Sequence, residues 1–389
     1  MLAIVSPWPR SSLALGLLAG LLVAACAAPA APGPSAPAKP AGQPSAAAPT
    51  AAAPAAVGAQ PSPAAPAQPA GQAAPVRVGT IGSLSDSGLF IALDRGYWQE
   101  QGLTVDLVPF DNIGLMIPAM GTAQIEVGAG STAPGLFNAV RRDVPLKIVA
   151  DKGNAAPGFG FSALVLRKDL ADSGAIRDFP DLRGKTVAVV GLYQSAHASL
   201  HQGLARAGVA DNEVNIIEMP FPDIMAALGN RNIDVGSLIE PFVAAAVGNG
   251  VGVRWKGTDE TYPNYQIAML LYAPHFAAPA QRSAAERFMI GYLKGVRDYN
   301  DAFVKNQGRD AVIDILIKHT PVKNRAQYDA IVPAGLRPNG RVNVETIKAD
   351  QDWYFAAGQQ SEKVDVDAIV DHSYVDNAVR VLGPYSATP

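Results

Sequence analysis

The chain has 389 residues, and its 34 acidic residues against 31 lysines and arginines give a formal net charge of −3. This balance provides no basic surface for nucleic acid, so nucleic acid is excluded as a partner. The single cysteine excludes a disulfide, a cysteine-ligated metal cluster and a thiol redox pair.

The first 75 residues have the composition of a targeting segment followed by a tether. In residues 1–25, Arg10 precedes the apolar run Leu13–Ala25, which is too short to span a bilayer and predicts a signal peptide. Residues 26–75 consist almost wholly of Ala, Pro, Gly, Gln, Ser and Thr and cannot bury a core. We therefore expect a disordered tether that ends where the folded body begins.

A short motif closes the signal peptide. Val23-Ala24-Ala25-Cys26 resembles the bacterial lipobox, in which small residues precede a cysteine that is lipidated and becomes the mature N-terminus. The resemblance implies a lipid anchor on Cys26 and a position on the outer face of a membrane or in the periplasm. An ordinary signal peptide with an incidental cysteine is the alternative.

From Val76 onward, strand patterns alternate with helix patterns, which predicts an α/β fold. Predicted strands at 76–81, 103–108, 125–129 and 146–150 form a first lobe, and strands at 186–190, 214–219, 233–235 and 252–255 form a second. Ser162–Arg167 and Gln266–Tyr272 are the predicted crossing strands, and only helices follow. We expect lobe 1 over 76–163, lobe 2 over 164–268, and a return to lobe 1 with C-terminal helices over 269–389.

The segment Gly184–Gly208 shows how one such strand feeds a helix. Thr186–Val190 is a valine-rich run typical of a strand buried on both faces, and Ser195 is the predicted N-cap of the following helix. A helix N-terminus at the carboxyl edge of a sheet can bind an anion or a polar ligand group. Plain sheet architecture without a ligand explains the same pattern.

Several motifs, taken in order, resemble the substrate-binding proteins of ABC transporters, of the nitrate, sulfonate, taurine and thiamine-pyrimidine type. The matching segments are 91–107, which contains Gly-Tyr-Trp; 124–128; 181–189, which begins with Asp-Leu-Arg-Gly-Lys and leads into the second lobe; Ser195-Ala196-His197; 232–236; and Glu240-Pro241-Phe242. Glu126 stands where that family usually has Asp. The resemblance implies a two-lobed periplasmic-binding-protein fold of type II, with two parallel-type sheets, two hinge strands and one cleft for a small solute.

The resemblance also implies which residues line that cleft. The predicted ligand-binding residues are Ser83, Ser85, Asp86, Ser131, Thr132, Phe159, Phe161, Tyr193, Gln194, Ser195 and Glu240. Acids and aromatic residues at the strand ends suit an amine-bearing or heteroaromatic solute, such as a thiamine precursor. A sulfonate or taurine-like solute held by backbone N–H groups remains the other interpretation.

Enzyme and metal functions find little support in the sequence. His197 and His201 are spaced as zinc ligands on one helix face, but Ala198 stands where the H-E-x-x-H motif needs its glutamate. We predict no catalytic residue, no metal and no cofactor. The expected protein is a monomer that delivers its solute to an ABC permease, and a receptor coupled to a membrane sensor is the alternative function.

Overall fold

The computed structural model describes residues 75–386. The predicted signal peptide, Cys26 and the tether as far as residue 74 lie outside the described residues. Two five-stranded sheets with flanking helices make up the described part.

Each sheet draws its strands from separate parts of the chain. The first sheet has the order β2-β1-β3-β10-β4 and the second has the order β7-β6-β8-β5-β9. The strands are β1 Val76–Thr80, β2 Val105–Pro109, β3 Val127–Gly130, β4 Lys147–Asn154, β5 Ser162–Arg167, β6 Thr186–Val189, β7 Asn215–Glu218, β8 Val235–Ile239, β9 Gly252–Gly257 and β10 Gln266–Tyr272.

The helices flank both sheets and make up most of the chain after β10. They are α1 Ser87–Asp94, α2 Ile113–Gly121, α3 Pro134–Arg141, α4 Lys168–Asp172, α5 Ser195–Arg206, α6 Phe221–Gly229, α7 Phe242–Gly248, α8 Thr258–Thr261, α9 Pro274–Ala277, α10 Arg282–Phe303, α11 Arg309–His319, α12 Arg325–Asp329, α13 Val344–Ala356, α14 Val366–Ile369 and α15 Ser373–Leu382.

The two crossing strands exchange the chain between the sheets, with the bounds that the sequence predicts. β5 follows β4 but lies in the second sheet, and β10 returns the chain to the first. Both sheets are mixed, because the two crossing strands β5 and β10 run antiparallel to their neighbours. Each crossing strand enters its sheet at the edge where the parallel strands end. It therefore runs in the direction opposite to those strands. The two-lobed fold class is confirmed, and the lobe limits 76–163, 164–268 and 269–389 remain predictions.

Several predicted strand boundaries differ from the observed ones by a few residues, and β8 is an example. β8 begins at Val235 and continues to Ile239, two residues later than the predicted strand at 233–235, since Asn232 N–H closes the preceding helix on Ala227 O. Leu84–Asp86 form a 3₁₀ turn, and α1 begins at Ser87.

Glycine sets the position of α1 on the long helix α10. A Cβ atom on Gly295 would lie 2.1 Å from the carbonyl oxygen of Gly88, so the two backbones are in direct contact. This contact fixes the polar turn before α1 against the first lobe. Within residues 75–386, no helix is both long and apolar enough to cross a membrane.

Candidate functional site

A small cavity lies between the two sheets, where the carboxyl ends of their parallel strands face each other. We call it the inner cavity, and its volume is about 30 Å³. Both lobes contribute to its lining, which consists of Ile81, Ser85, Asp111, Asn112, Ile113, Gly130, Ser131, Phe161, Ser162, Val190, Gln194, Ser195, Ala196, Phe221, Ile239, Ile267 and Ala268. The structure therefore brings together five of the predicted site residues: Ser85, Ser131, Phe161, Gln194 and Ser195.

Asp86 and Ser83 lie behind this lining. The Asp86 carboxylate forms an ion pair of 2.7 Å with Lys152 Nζ, and both side chains are fully buried. Its other oxygen accepts the Ser83 backbone N–H at 3.0 Å, and Ser83 Oγ lies 2.9 Å from Ser85 Oγ. Asp86 thus holds the wall that presents Ser85, and its carboxylate does not face the inner cavity.

Thr132 also points away from the inner cavity, toward a buried carboxyl group on α13. Its hydroxyl donates to Asp350 Oδ2, which also accepts the Tyr265 hydroxyl at 2.8 Å. Burial raises the pKa of Asp350 to about 7, because the two hydroxyl donors do not offset the loss of solvation. This network ties α13 to the start of the loop that carries Ser131.

Glu240 lies at the end of β8, but its side chain turns toward the backbone of two other elements. Its carboxylate accepts N–H groups from Ala244 at 3.0 Å and from Val332 at 3.2 Å, and the residue is 1% exposed. Burial raises its pKa to about 7 in spite of these donors. Glu240 lines a separate cavity of about 340 Å³. Neither it nor the half-buried Phe159 is among the residues of the inner cavity, so their contact with a ligand stays a prediction.

The N-termini of α2 and α5 meet across the inner cavity. Ser195 is the first helical residue of α5 and makes no capping bond with its side chain, so its prediction as N-cap is wrong; Gln194 holds that position. Gln194 Nε2 donates to Asn112 Oδ1 at 3.2 Å, and Asn112 caps α2 by accepting the Gly114 N–H. Asn112 was not among the predicted site residues. An Asp-Asn pair directly before an apolar helix is typical of an N-cap, so the sequence could have indicated it.

Rings from the two lobes form a second contact, which we call the aromatic contact. Trp353 of α13 lies 5.2 Å from the Tyr193 ring, 5.0 Å from His197 and 4.7 Å from His201, on which it stacks. Tyr193, with φ of 55°, donates its backbone N–H to His197 Nδ1 at 3.0 Å. Tyr193 therefore packs at the edge of the cleft and does not line the inner cavity.

The two histidines share one acidic partner. His201 Nδ1 lies 3.0 Å from Asp211 Oδ2, and His197 Nε2 lies 3.6 Å from the same oxygen. Burial opposes ionisation of Asp211, but hydrogen bonds from both histidines hold its pKa below its usual value. Within the described residues, no group of three or more His, Cys, Asp or Glu side chains is arranged to hold a metal ion.

Known proteins resemble the chain in sequence and in fold. The profile of the family described as NMT1/THI5 like matches residues 85–299. A putative ABC transporter periplasmic binding protein of Brachyspira hyodysenteriae is 26% identical over 200 residues, which cover 50% of this chain and 57% of that protein. The taurine-binding periplasmic protein of Escherichia coli is 29% identical over 160 residues, 40% of this chain and 46% of that one.

Among solved structures, the alkanesulfonate-binding protein SsuA of Xanthomonas axonopodis, bound to MOPS, superposes with a TM-score of 0.62. The match covers 78% of this chain and 100% of that one, at 18% identity. At that identity the likeness concerns the fold alone. This likeness in fold agrees with the two-sheet architecture described above.

The buried carboxyl group of Asp350 makes stability depend on pH. Its folded pKa of about 7 lies above its ordinary value of 3.8, so its contribution to stability is lost as pH rises through 7. In Asp350→Asn, which retains an oxygen for both hydroxyls, the fall in unfolding free energy between pH 5 and pH 8 should be smaller by roughly 2–3 kcal/mol. Urea unfolding at both pH values measures this, with exposed Asp352→Asn as the control. An equal fall in Asp350→Asn and wild type would contradict the prediction.

The aromatic contact joins α13 to the second lobe through the Trp353 ring. Trp353→Ala removes the ring that three side chains of the second lobe contact, so we expect a larger radius of gyration for the ligand-free protein in small-angle X-ray scattering. Phe355→Ala, on the same helix and 43% exposed, is the matched control. Equal radii of gyration for wild type and Trp353→Ala would show that the contact does not set the closure.

Proposed function

The chain belongs to the NMT1/THI5-like family, and from that premise we propose that it is an extracytoplasmic solute-binding protein of an ABC importer. The relatives named above are periplasmic binding proteins. On this proposal the protein captures a small organic solute between its lobes and delivers it to a membrane permease. It acts as a monomer without catalysis or cofactor.

The inner cavity is the main support for this proposal. Across it, Gln194, the N-cap residue of α5, donates to Asn112, the N-cap residue of α2. In open α/β sheets, ligands bind at the carboxyl ends of the strands. Here two such edges face each other, and Gln194 donates to Asn112 between them. A solute that takes over the hydrogen bonds of this contact would bind both lobes at once, which couples capture to closure.

Two solute chemistries fit the inner cavity itself. The free N–H groups and positive dipole ends of α2 and α5 favour an anionic group, which is the chemistry of a sulfonate or taurine-like solute. The hydroxyls of Ser85 and Ser131 and the amide of Gln194 also suit the polar edge of an amine-bearing heteroaromatic solute such as a thiamine precursor. The cavity lining includes no lysine or arginine.

Membrane attachment is the second part of the proposal. A lipid on Cys26 would hold the mature N-terminus at the outer face of the membrane or in the periplasm. The Ala- and Pro-rich residues that follow would extend about 3 Å each, so the tether spans up to the order of 100 Å. That reach lets the folded body meet a permease in the same membrane.

Solute capture and transport are tested together. The full-length protein is purified, its co-purifying solute is identified by mass spectrometry, and the solute-loaded protein is added to proteoliposomes with the importer encoded beside it. We expect it to stimulate ATP hydrolysis. Ser131→Phe fills a cavity of about 30 Å³ and should abolish solute binding, while exposed Ser283→Phe should behave as wild type. An importer that hydrolyses ATP at the same rate with and without the loaded protein would refute the transport function.

The anchor requires its own experiment. Because lipidation needs the cysteine sulfur, Cys26→Ser should be released or left unprocessed, while its folded body still binds the co-purified solute. Membrane fractionation with mass analysis of the mature N-terminus measures this. A processed Cys26→Ser protein that sediments with membranes as wild type does would contradict the lipid anchor.

A further inference from the structure

Helix α13 is fixed to the first lobe by one of its faces. Its Asp350 carboxylate accepts the hydroxyls of Tyr265 and Thr132. Thr346 Oγ1 accepts the backbone N–H of Gln266, the first residue of β10, at 3.1 Å. Thr346 and Asp350 are four residues apart, which places them on the same side of the helix. These contacts hold α13 against the first sheet and against the loop that follows β3.

Trp353, within one turn of Asp350, extends from α13 to the second lobe. Its ring centre lies 5.0 Å from that of His197 and 4.7 Å from that of His201, both on α5. The Tyr193 ring, in the turn before α5, lies 5.2 Å away. Since the first lobe holds the rest of α13, the aromatic contact makes this helix a bridge between the lobes.

Both ends of the bridge adjoin walls of the inner cavity. At the first lobe, Thr132 directly follows Ser131, which lines the cavity. At the second lobe, Tyr193 directly precedes Gln194, which lines it from the other side. Among the described residues that line the inner cavity, none belongs to α13. The helix can therefore act on a solute in this cavity only through the residues that it orients.

The turn at Tyr193 needs support to keep its conformation. Tyr193 has a φ of 55°, in the left-handed region that is unfavourable for a bulky residue. Its backbone N–H donates to His197 Nδ1 at 3.0 Å, and the Trp353 ring packs on both side chains. The next residue, Gln194, is the N-cap of α5 and donates to Asn112 at 3.2 Å. Without the Trp353 ring, the turn can relax and move the Gln194 amide away from the cavity.

We infer that α13 is a strap between the two lobes and that Trp353 is a positioning residue, which holds the Tyr193 turn so that the Gln194 amide faces the inner cavity. The inference rests on the proposed function, because it describes how a captured solute is retained at that site. On this inference, removing the Trp353 ring speeds the release of a solute that the ring does not contact.

Hydrogen exchange tests the strap without any solute. In the full-length protein, we expect Trp353→Ala to raise the exchange rates of the amides at residues 193–198 by about two- to thirtyfold, the range for coupling through packed side chains. The amides of β6 should keep their wild-type rates, whereas a loss of overall stability would raise the rates of all slowly exchanging amides. Trp353→Phe, which keeps a ring, should retain most of the protection. Phe355→Ala, exposed on the same helix, is the matched control.

Solute release tests the consequence for retention. The full-length protein is purified with the solute that it retains, and native mass spectrometry follows the fraction still loaded after dilution. Trp353→Ala should release this solute about two- to thirtyfold faster than wild type and Phe355→Ala. Because Trp353 acts through the Tyr193 turn, the variant that carries both Tyr193→Ala and Trp353→Ala should release it no faster than Tyr193→Ala alone.

The inference is overturned if Trp353→Ala leaves exchange at residues 193–198 unchanged, or if its effect on release adds in full to that of Tyr193→Ala. Neither measurement needs an importer, so failure of the proposed function is distinguishable. Release from Trp353→Ala at the wild-type rate, beside normal stimulation of ATP hydrolysis by the loaded wild type, would keep transport and remove the inference. A protein that retains no solute would remove the proposed function, and hydrogen exchange alone would then decide whether Trp353 holds the turn.

Discussion

The site depends on a fully buried ion pair. Asp86, in the turn after β1, and Lys152, on β4, contact each other at 2.7 Å with both side chains at 0% exposure. Burying two charges is costly, and removing one partner leaves the other uncompensated, at about 3–5 kcal/mol. The pair therefore fixes the turn that carries Ser83 and Ser85 to β4, the edge strand of the first sheet. It also means that the charge of Lys152 is already neutralised by Asp86.

The exchanged strands determine how the two lobes face each other. β4 ends at the cleft edge and the chain passes directly to β5, while Ala155 and Tyr265 join the two crossings through a backbone hydrogen bond of 2.9 Å. Because both crossings lie at the same edge, the carboxyl ends of two sets of parallel strands converge on one cavity. The Leu84 N–H to Glu240 carbonyl bond, at 2.8 Å, joins the lobes at the same level. The fold thus brings residues from distant parts of the chain together at this edge.

Charge is distributed unevenly around this cleft. Asp86, Asp151 and Asp350 are buried and have partners inside the protein, and burial raises the pKa of the latter two. These groups support the walls, and Asp111 is the one charged residue among those that line the inner cavity. For the solute proposed above, the inner cavity offers helix N-termini, hydroxyl and amide groups and apolar walls. Such a site selects by shape and by hydrogen bonding more than by a strong field.

Local sequence patterns determined the fold class, both crossing strands and most helices, because hydrophobic periodicity and Gly or Pro boundaries act over short stretches of chain. They also predicted Ser85, Ser131 and Gln194 as site residues, and all three line the inner cavity. Tertiary structure decided which polar side chains face the cavity. Asp86 and Thr132 turn inward to Lys152 and Asp350, partners 66 and 218 residues away, and Trp353 reaches the second lobe from a helix after the last strand. A buried polar group takes whichever partner satisfies it, and that partner is fixed only when distant segments pack together.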